Sequence, residues 1–343
     1  MNVKVVFSML FAVILFDGCN NKTEMGIKQI PKPAFEKKIS LFPDSVAVDV
    51  AVGIYGWKLA NDQIIILSVQ DRDYFLYAFS VPDFKLLYKY GQYGQGPDEF
   101  IAANWLNTTN ENQLGLYDIP RWNMYLYNLE SDTLYRYKTF KFSQWEGSLC
   151  KPYTFIQQLN DSVFLLKADM KEYTEIEVVN INSGTVLQTF RNLITREPNT
   201  IYTTYYFGMA ASEKNLVLAY KYMNRLELFE YDTAMTPRLI IGSDRDQHDR
   251  KQWEDYVTYY TQVLCDDKYI YGLYQGGRKE NEIRNSYIEI YTFDGAPVLQ
   301  IELDRYIYSI QPDRKRNCIY GYSPDNSFDF AYIYPFDFPD AGK

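Results

Sequence analysis

The sequence predicts an all-β fold: a closed six-bladed β-propeller of four-stranded antiparallel blades. Three observations carry that prediction. The first is a repeat. Apolar runs at Ile64–Leu67, Leu114–Tyr117, Val163–Leu166, Leu216–Ala219, Ile270–Leu273 and Ile319–Tyr322 recur about every 50 residues, a period typical of propellers and strand arrays. After each run comes a polar connection and a second alternating run, as at Tyr74–Phe79, Leu226–Tyr231 and Tyr287–Tyr291. The second is composition. Aromatic residues make up 17% of the 343 residues, with 33 tyrosines, and aromatic side chains favour pleated, half-buried surfaces. The third lies at the chain ends. The last unit is one strand short, while Glu36–Leu41 has no blade of its own. Joining the two closes the ring and removes an exposed sheet edge.

The units follow in order. The first places strands near Ile54–Leu59, Gln63–Val69, Tyr74–Ser80 and Leu86–Tyr90, with turn residues at Asn61-Asp62 and Pro82-Asp83. The second uses Ala103–Thr108, Gln113–Tyr117, Met124–Asn128 and Thr133–Phe140. The third uses Phe155–Leu159, Ser162–Ala168, Glu175–Asn180 and Val186–Arg191. The fourth runs Tyr206–Ala211, Asn215–Lys221, Arg225–Tyr231 and Arg238–Ile241; the fifth, Thr261–Cys265, Tyr269–Tyr274, Tyr287–Phe293 and Val298–Leu303. The sixth has Ile307–Gln311, Asn317–Tyr322 and Phe330–Tyr334. One segment, Asp246–Tyr260, repeats Trp253, Val257 and Tyr260 at helical spacing, which predicts a short helix in an insertion.

The N-terminus carries an address. Lys4 precedes a mostly apolar run, Val5–Phe16, too short for a membrane span and suited to the core of a signal peptide. The run leads into Asp17-Gly18-Cys19. A small residue directly before Cys resembles the lipobox of bacterial lipoproteins. That resemblance implies a signal peptide over residues 1–18 and lipidation of Cys19, with palmitate among the acyl groups. The polar stretch that follows, with Pro31 and Pro33, reads as a flexible tether over 19–33. The propeller domain then occupies 34–343. Acyl chains on one Cys attach a protein to a membrane without a spanning helix. Cys150, Cys265 and Cys318 remain; an odd number leaves at least one thiol free, and no pairing is assigned.

One junction carries a family resemblance. Between the first two units lies Tyr90-Gly91-Gln92-Tyr93-Gly94-Gln95-Gly96-Pro97-Asp98-Glu99-Phe100. This Gly-rich stretch resembles the blade junction of NHL-type and TolB-like six-bladed propellers, and more closely the propeller lipoproteins of Bacteroidetes. Asp118–Asn123 and Met223–Leu226 are similar to the NHL hairpin, where a polar residue and Arg precede the third strand. The resemblance implies a propeller fold and an envelope location, as an outer-membrane lipoprotein, and no agreed activity. In physical terms the glycines permit positive φ where the chain crosses between blades, and Glu99 is placed to accept from free amides of that bend.

Chemistry is sparse. His248 is the only histidine, which excludes most Ser-His-Asp, Cys-His and multi-histidine metal schemes. The Asp244–Arg250 segment lacks the Gly and distal Glu of a calcium loop. The innermost positions, near Gly56-Trp57-Lys58, Asn104-Trp105, Ile156-Gln157, Met209-Ala210, Gln262-Val263 and Ile310-Gln311, offer amides and almost no acids. No catalytic residue, metal site or cofactor is assigned. The net charge of −9 excludes the basic footprint that nucleic acid requires.

Binding is the better expectation. The loop between second and third strands, and the crossing to the next blade, share one face of a propeller. The long connections, Gly91–Ala102, Asp118–Asn123, Phe142–Lys151, Asn192–Thr204, Ser243–Tyr260 and Gln275–Ser286, are of those two kinds. That face carries Arg72, Arg121, Trp122, Trp145, Tyr205, Arg245, Trp253 and Arg278, side-chain types that suit recognition of a protein or peptide partner. The sequence therefore predicts a membrane-anchored binding or scaffold module. A glycan-binding propeller and a calcium-dependent hydrolase or lactonase using the channel are the alternatives.

Overall fold

A computed structural model describes residues 27–339 apart from 50–51, 69–70, 72, 97–98, 111, 130–133, 142–150, 152, 171–172, 193–206, 213, 231–236, 244–255 and 324–328. Six antiparallel sheets follow one another along the chain as the blades of a propeller. Blade 1 is Ile54–Ala60, Gln63–Ser68, Leu76–Ser80 and Leu86–Tyr90; blade 2 is Ala103–Leu106, Gln113–Asp118, Asn123–Leu129 and Leu134–Lys141. Blade 3 is Tyr153–Gln158, Val163–Asp169, Thr174–Asn180 and Thr185–Asn192. Blade 4 is Phe207–Ala211, Asn215–Tyr220, Arg225–Glu230 and Pro237–Gly242; blade 5 is Val257–Cys265, Tyr269–Lys279, Tyr287–Thr292 and Pro297–Leu303. Blade 6 takes Ser309–Asp313, Cys318–Tyr322 and Phe330–Pro335 from the C-terminal end. Its fourth strand is Asp44–Ala47, antiparallel to Phe330–Pro335.

The ring is therefore closed by an N-terminal strand, but not by the segment the sequence singles out. Within Glu36–Leu41, residues Lys38–Leu41 pair in parallel with Pro297–Leu303 as a fifth strand of blade 5. Closure belongs to Asp44–Ala47 instead. The stretch read as a tether also holds a strand, since Lys28–Ile30 pairs in parallel with Pro237–Gly242 on blade 4. Both corrections have one cause. A propeller blade's outer strand leaves an unpaired edge, and a short extended segment passing alongside satisfies its backbone groups.

The core lies between blades. Among the described residues, apolar side chains form six clusters, one at each seam between neighbouring blades. The run Ile64–Leu67 shows why the second strands are continuously apolar. Ile65 and Leu67 enter the seam with blade 2, whereas Ile64 and Ile66 enter the seam with blade 6. All four are fully buried, each contributing about 1.5–3 kcal/mol by apolar burial. Outermost strands such as Leu86–Tyr90 alternate half-buried with exposed residues, because only one blade face is covered there.

Helix is confined, among the described residues, to the 3-10 turn Glu280–Glu282. The helix expected over Asp246–Tyr260 is not borne out at its C-terminal end: Val257–Tyr260 belongs to the innermost strand of blade 5, and 244–255 lie outside the described residues. Cross-strand partners overrode the helical spacing there. Thr258 pairs with Arg278 and Tyr260 with Tyr274.

Candidate functional site

The strand ends separate the connections by face. Crossings 91–102, 142–152, 193–206 and 243–256 begin and end on one face, while 61–62, 159–162, 212–214, 266–268 and 314–317 join strands on the other. Two of the expected long loops are shorter than the sequence suggests. Asp118 pairs with Asn123, leaving 119–122 as a tight hairpin with Trp122 at φ 52°. The second strand of blade 5 runs on to Lys279, leaving only 280–286.

Of the residues expected on the loop-rich face, Arg121, Trp122 and Arg278 are described. Arg72, Trp145, Tyr205, Arg245 and Trp253 lie outside the described residues, as do Cys19, Cys150 and His248. Arg121 is held by the structure itself. Its guanidinium donates to the carbonyls of Glu99 and Gly94 and sits 3.5 Å from the buried Asp118 carboxylate. Burial pushes Asp118 up, against the backbone N–H groups of Ala102 and Ile101 that it accepts. Trp122 packs on the apolar cluster between blades 2 and 3. Arg278 donates to Asn285 Oδ1 at 2.8 Å and borders a groove of about 500 Å³ with Lys38, Tyr274, Tyr287 and Glu302. Arg121 and Arg278 belong to hairpins of blades 2 and 5, so they do not form one cluster.

The junction expectation holds at Gly91 and Glu99, whereas Gly94 and Gly96 keep negative φ. Glu99 Oε2 accepts the Gly96 N–H at 2.7 Å, and a Cβ on Gly94 would collide with that carboxylate. Gly91 takes φ +73° over the Phe75 ring. Glu99→Ala should lower stability by about 1–2 kcal/mol, because a part-buried amide loses its acceptor; thermal unfolding with Glu99→Gln as the milder control checks this.

The opposite face holds the mouth of the central channel. A cavity of about 380 Å³ is bordered there by all six blades, through Lys58, Asn107, Gln157, Ala210, Cys265 and Gln311 among others. Two of the innermost amides have a structural task. Gln262 binds both sides of Ile310, accepting its N–H at 2.7 Å and donating to its carbonyl at 3.2 Å. Gln311 does the same across the next seam, donating to Trp57 O at 3.1 Å and accepting from Leu59 N at 3.5 Å. Each amide stands in for the peptide group that an innermost strand lacks on its free edge. Blades 2 and 3 manage with backbone alone, through Asn107 N to Ile156 O and Gln158 N to Asn107 O.

Lys58 is the exception among these channel residues. Its Nζ donates to Leu106 O at 3.2 Å and lies 5.5 Å from the Trp105 ring centroid. No carboxylate among the described residues pairs with it. Burial alone pushes its amine down to about 7, although it keeps some accessible surface toward the channel. Nearby, Cys265 is pushed up to about 12 by burial, with Asp266 and Asp267 adding to the effect. Cys265 and Cys318 are both free thiols.

Two buried charge clusters were invisible in the sequence. In blade 5, Glu289 is fully buried and accepts from the Tyr260 and Tyr291 hydroxyls at 2.8 and 3.1 Å. Its counter-ion is Lys32, at 2.8 Å, whose Nζ also lies 3.2 Å from the Tyr274 ring centroid. Burial lowers the Lys32 amine, with Glu289 opposing. In blade 3, Lys151 bridges Glu175 and Glu177, with Arg191 on the far side of Glu175 at 2.6 Å. Burial raises Glu175, but Lys151 and Arg191 together hold it below the usual carboxylate range. Neither cluster has a local spacing signal, because each charge finds its partner from another strand or from the N-terminal arm.

Comparison with known proteins agrees with this geometry. None of the curated proteins matches the chain. A DUF4221 family member from Bacteroides vulgatus superposes with a TM-score of 0.61 at 12% identity, covering 88% of this chain and 98% of its own. A Bacteroides fragilis protein described as a candidate exported protein superposes at 0.55 with 13% identity, covering 90% of this chain and 98% of its own. At such identities the likeness shows the propeller fold. The model of the TolB-like 6-blade propeller-like family matches residues 53–315. With its six blades and its N-terminal closing strand, and with the family model matching residues 53–315, the chain belongs to the TolB-like six-bladed propeller family.

Proposed function

We propose that the protein is an exported, lipid-anchored propeller that acts as a binding or scaffold module for a protein or peptide partner through its loop-rich face. The observation that carries this reading is the asymmetry of the strand ends: those joined across long intervals, such as Asn192 to Phe207 and Gly242 to Val257, share one face, and those joined by two to a few residues, such as Ala60 to Gln63, share the other. Recognition loops on a rigid scaffold are a common route to binding. The groove beside Arg278, with Lys38, Glu302 and two tyrosines, supplies the mixed charge and aromatic surface that protein partners use. The similarity to a Bacteroides protein described as a candidate exported protein supports export, as does the signal-peptide pattern ending at Cys19.

The direction of the arm supports an orientation. Lys28 pairs with Leu239 and Ile30 with Ile241 in parallel, so the arm joins blade 4 from the short-turn face. Residues 20–27 can span at most roughly 30 Å when extended. A lipidated Cys19 would therefore hold the short-turn face toward the bilayer and turn the loop-rich face outward.

The test is recovery of partners crosslinked in the envelope. A specific partner should come down with the wild type. Replacing Trp145, Arg245 and Trp253 together by Ala should abolish its recovery while the unfolding temperature is unchanged. Equal recovery with those replacements would refute the face assignment. In the same cells, Cys19→Ala should release the protein from the membrane fraction and remove incorporation of labelled palmitate.

A further inference from the structure

We infer that the channel mouth on the short-turn face is a binding site for a small monocarboxylate, with Lys58 as its counter-ion. This goes beyond the proposed partner binding, which uses the opposite face.

The cavity of about 380 Å³ is lined by Lys58, Asn107, Thr108, Gln113, Gln157 and Arg314, among other residues. The Arg314 cation is already neutralised: it lies 2.6 Å from Asp266. Asp266 also accepts from the Tyr271 hydroxyl at 2.7 Å and from the backbone of Lys268 and Tyr269 at 2.8 Å. Cys265 is uncharged at neutral pH. Among the described residues that line the cavity, the charge without an ion-pair partner is that of Lys58, whose Nζ makes one bond, to Leu106 O. Two of its N–H groups remain for a ligand.

The chemistry of the ligand follows. A buried amine with no carboxylate partner is held against its desolvation cost. An anion entering the channel would restore the charged form. One cation matches one negative charge, whereas a polyphosphate would need several. The neutral amides and hydroxyls of Asn107, Thr108, Gln113 and Gln157 around the mouth can hydrogen-bond the rest of a small polar acid. The cavity shares Thr108, Gln157 and Cys265 with a wider vestibule of about 1020 Å³ that Asp161, Asp266 and Asp267 also line; those carboxylates oppose an entering anion, so the attraction must come from Lys58 and favours a ligand of single charge over one of several.

The protonation sign is determined. Burial pushes the Lys58 amine down to about 7, so it is mostly charged below that pH and mostly neutral above it. A carboxylate binds the charged form, and affinity must fall as pH rises. Between pH 6.5 and 8.5 the protonated fraction drops more than tenfold.

Lactate is the probe, titrated into the full-length protein carrying lysine labelled with 13C at Cε. The Lys58 resonance, identified by its loss in Lys58→Met, should shift saturably with lactate at pH 6.5. Binding should be at least tenfold weaker at pH 8.5. Calorimetry should show lactate binding lost in Lys58→Met. It should persist in Lys58→Arg, now with the same affinity at both pH values, because a guanidinium does not titrate in this range. The arginine variant keeps the question answerable if the methionine variant fails to fold. Absence of a saturable response in the wild type at pH 6.5, or a pH dependence retained in Lys58→Arg, overturns the inference.

Discussion

Replacing Asp44–Ala47 by Gly-Ser-Gly-Ser should destabilise the protein by on the order of 3–5 kcal/mol, a large share of the roughly 5–15 kcal/mol that holds a typical domain together. Among the described strands, this one alone brings the N-terminal side of the chain into blade 6. Asp44 pairs with Ile333 and Ala47 with Phe330, and Val48 N continues the ladder to Asp329 O at 3.0 Å. Val46 packs into the cluster between blades 6 and 1 beside Tyr320 and Ala331. The variant loses that apolar contact and gains glycine's conformational freedom. It also leaves Phe330–Pro335 as an open edge able to pair with another chain. Denaturant unfolding should show the lower midpoint, and light scattering should show association at concentrations where the wild type stays monodisperse. A variant with wild-type stability would mean that the seam between blades 6 and 1 holds the ring without its fourth strand.

Lys32→Met should cost about 3–5 kcal/mol, the penalty for leaving a buried carboxylate without its partner. Glu289 has no accessible surface. Its remaining contacts, the Tyr260 and Tyr291 hydroxyls and Gln300 Nε2 at 3.1 Å, solvate the carboxylate but do not neutralise it. The paired change Lys32→Met with Glu289→Gln should recover most of the loss, since it removes both charges and keeps the hydrogen-bond acceptor. Urea unfolding of the two singles and the double yields the coupling directly. A loss below about 1 kcal/mol in Lys32→Met would show that the arm is not held by this pair. The wild-type arm should also exchange its amide protons slowly near Lys28–Ile30, and Lys32→Met should speed that exchange.

Much of the architecture was legible in the residues. The apolar runs, such as Ile64–Leu67, read as a strand repeat, and each forms the second strand of a blade; that both faces of those strands are covered is shown by the seams alone. The Gly-rich junction with Glu99 was legible because its task is local: an acid three residues from an amide that needs an acceptor. The closing strand was half legible. A missing strand could be counted, but Lys38–Leu41 and Asp44–Ala47 are both short and extended, and only pairing decides between them. Amides at the innermost positions were legible, whereas their engagement with the next blade was not. Gln311 meets Trp57 across most of the chain's length, and no spacing records that.

Composition and periodicity thus determined by themselves the all-β class, the number of blades, the address-like N-terminus and the absence of histidine-rich chemistry, because each depends on residues near one another in sequence. Tertiary structure alone decided which N-terminal segment closes the ring, where the arm lies, which charges are paired and which is left over. Those are outcomes of contact between blades. Lys32 reaches Glu289 and Gln262 reaches Ile310, while Lys58 meets no carboxylate among the described residues, and such balances exist only once the ring has brought distant strands together.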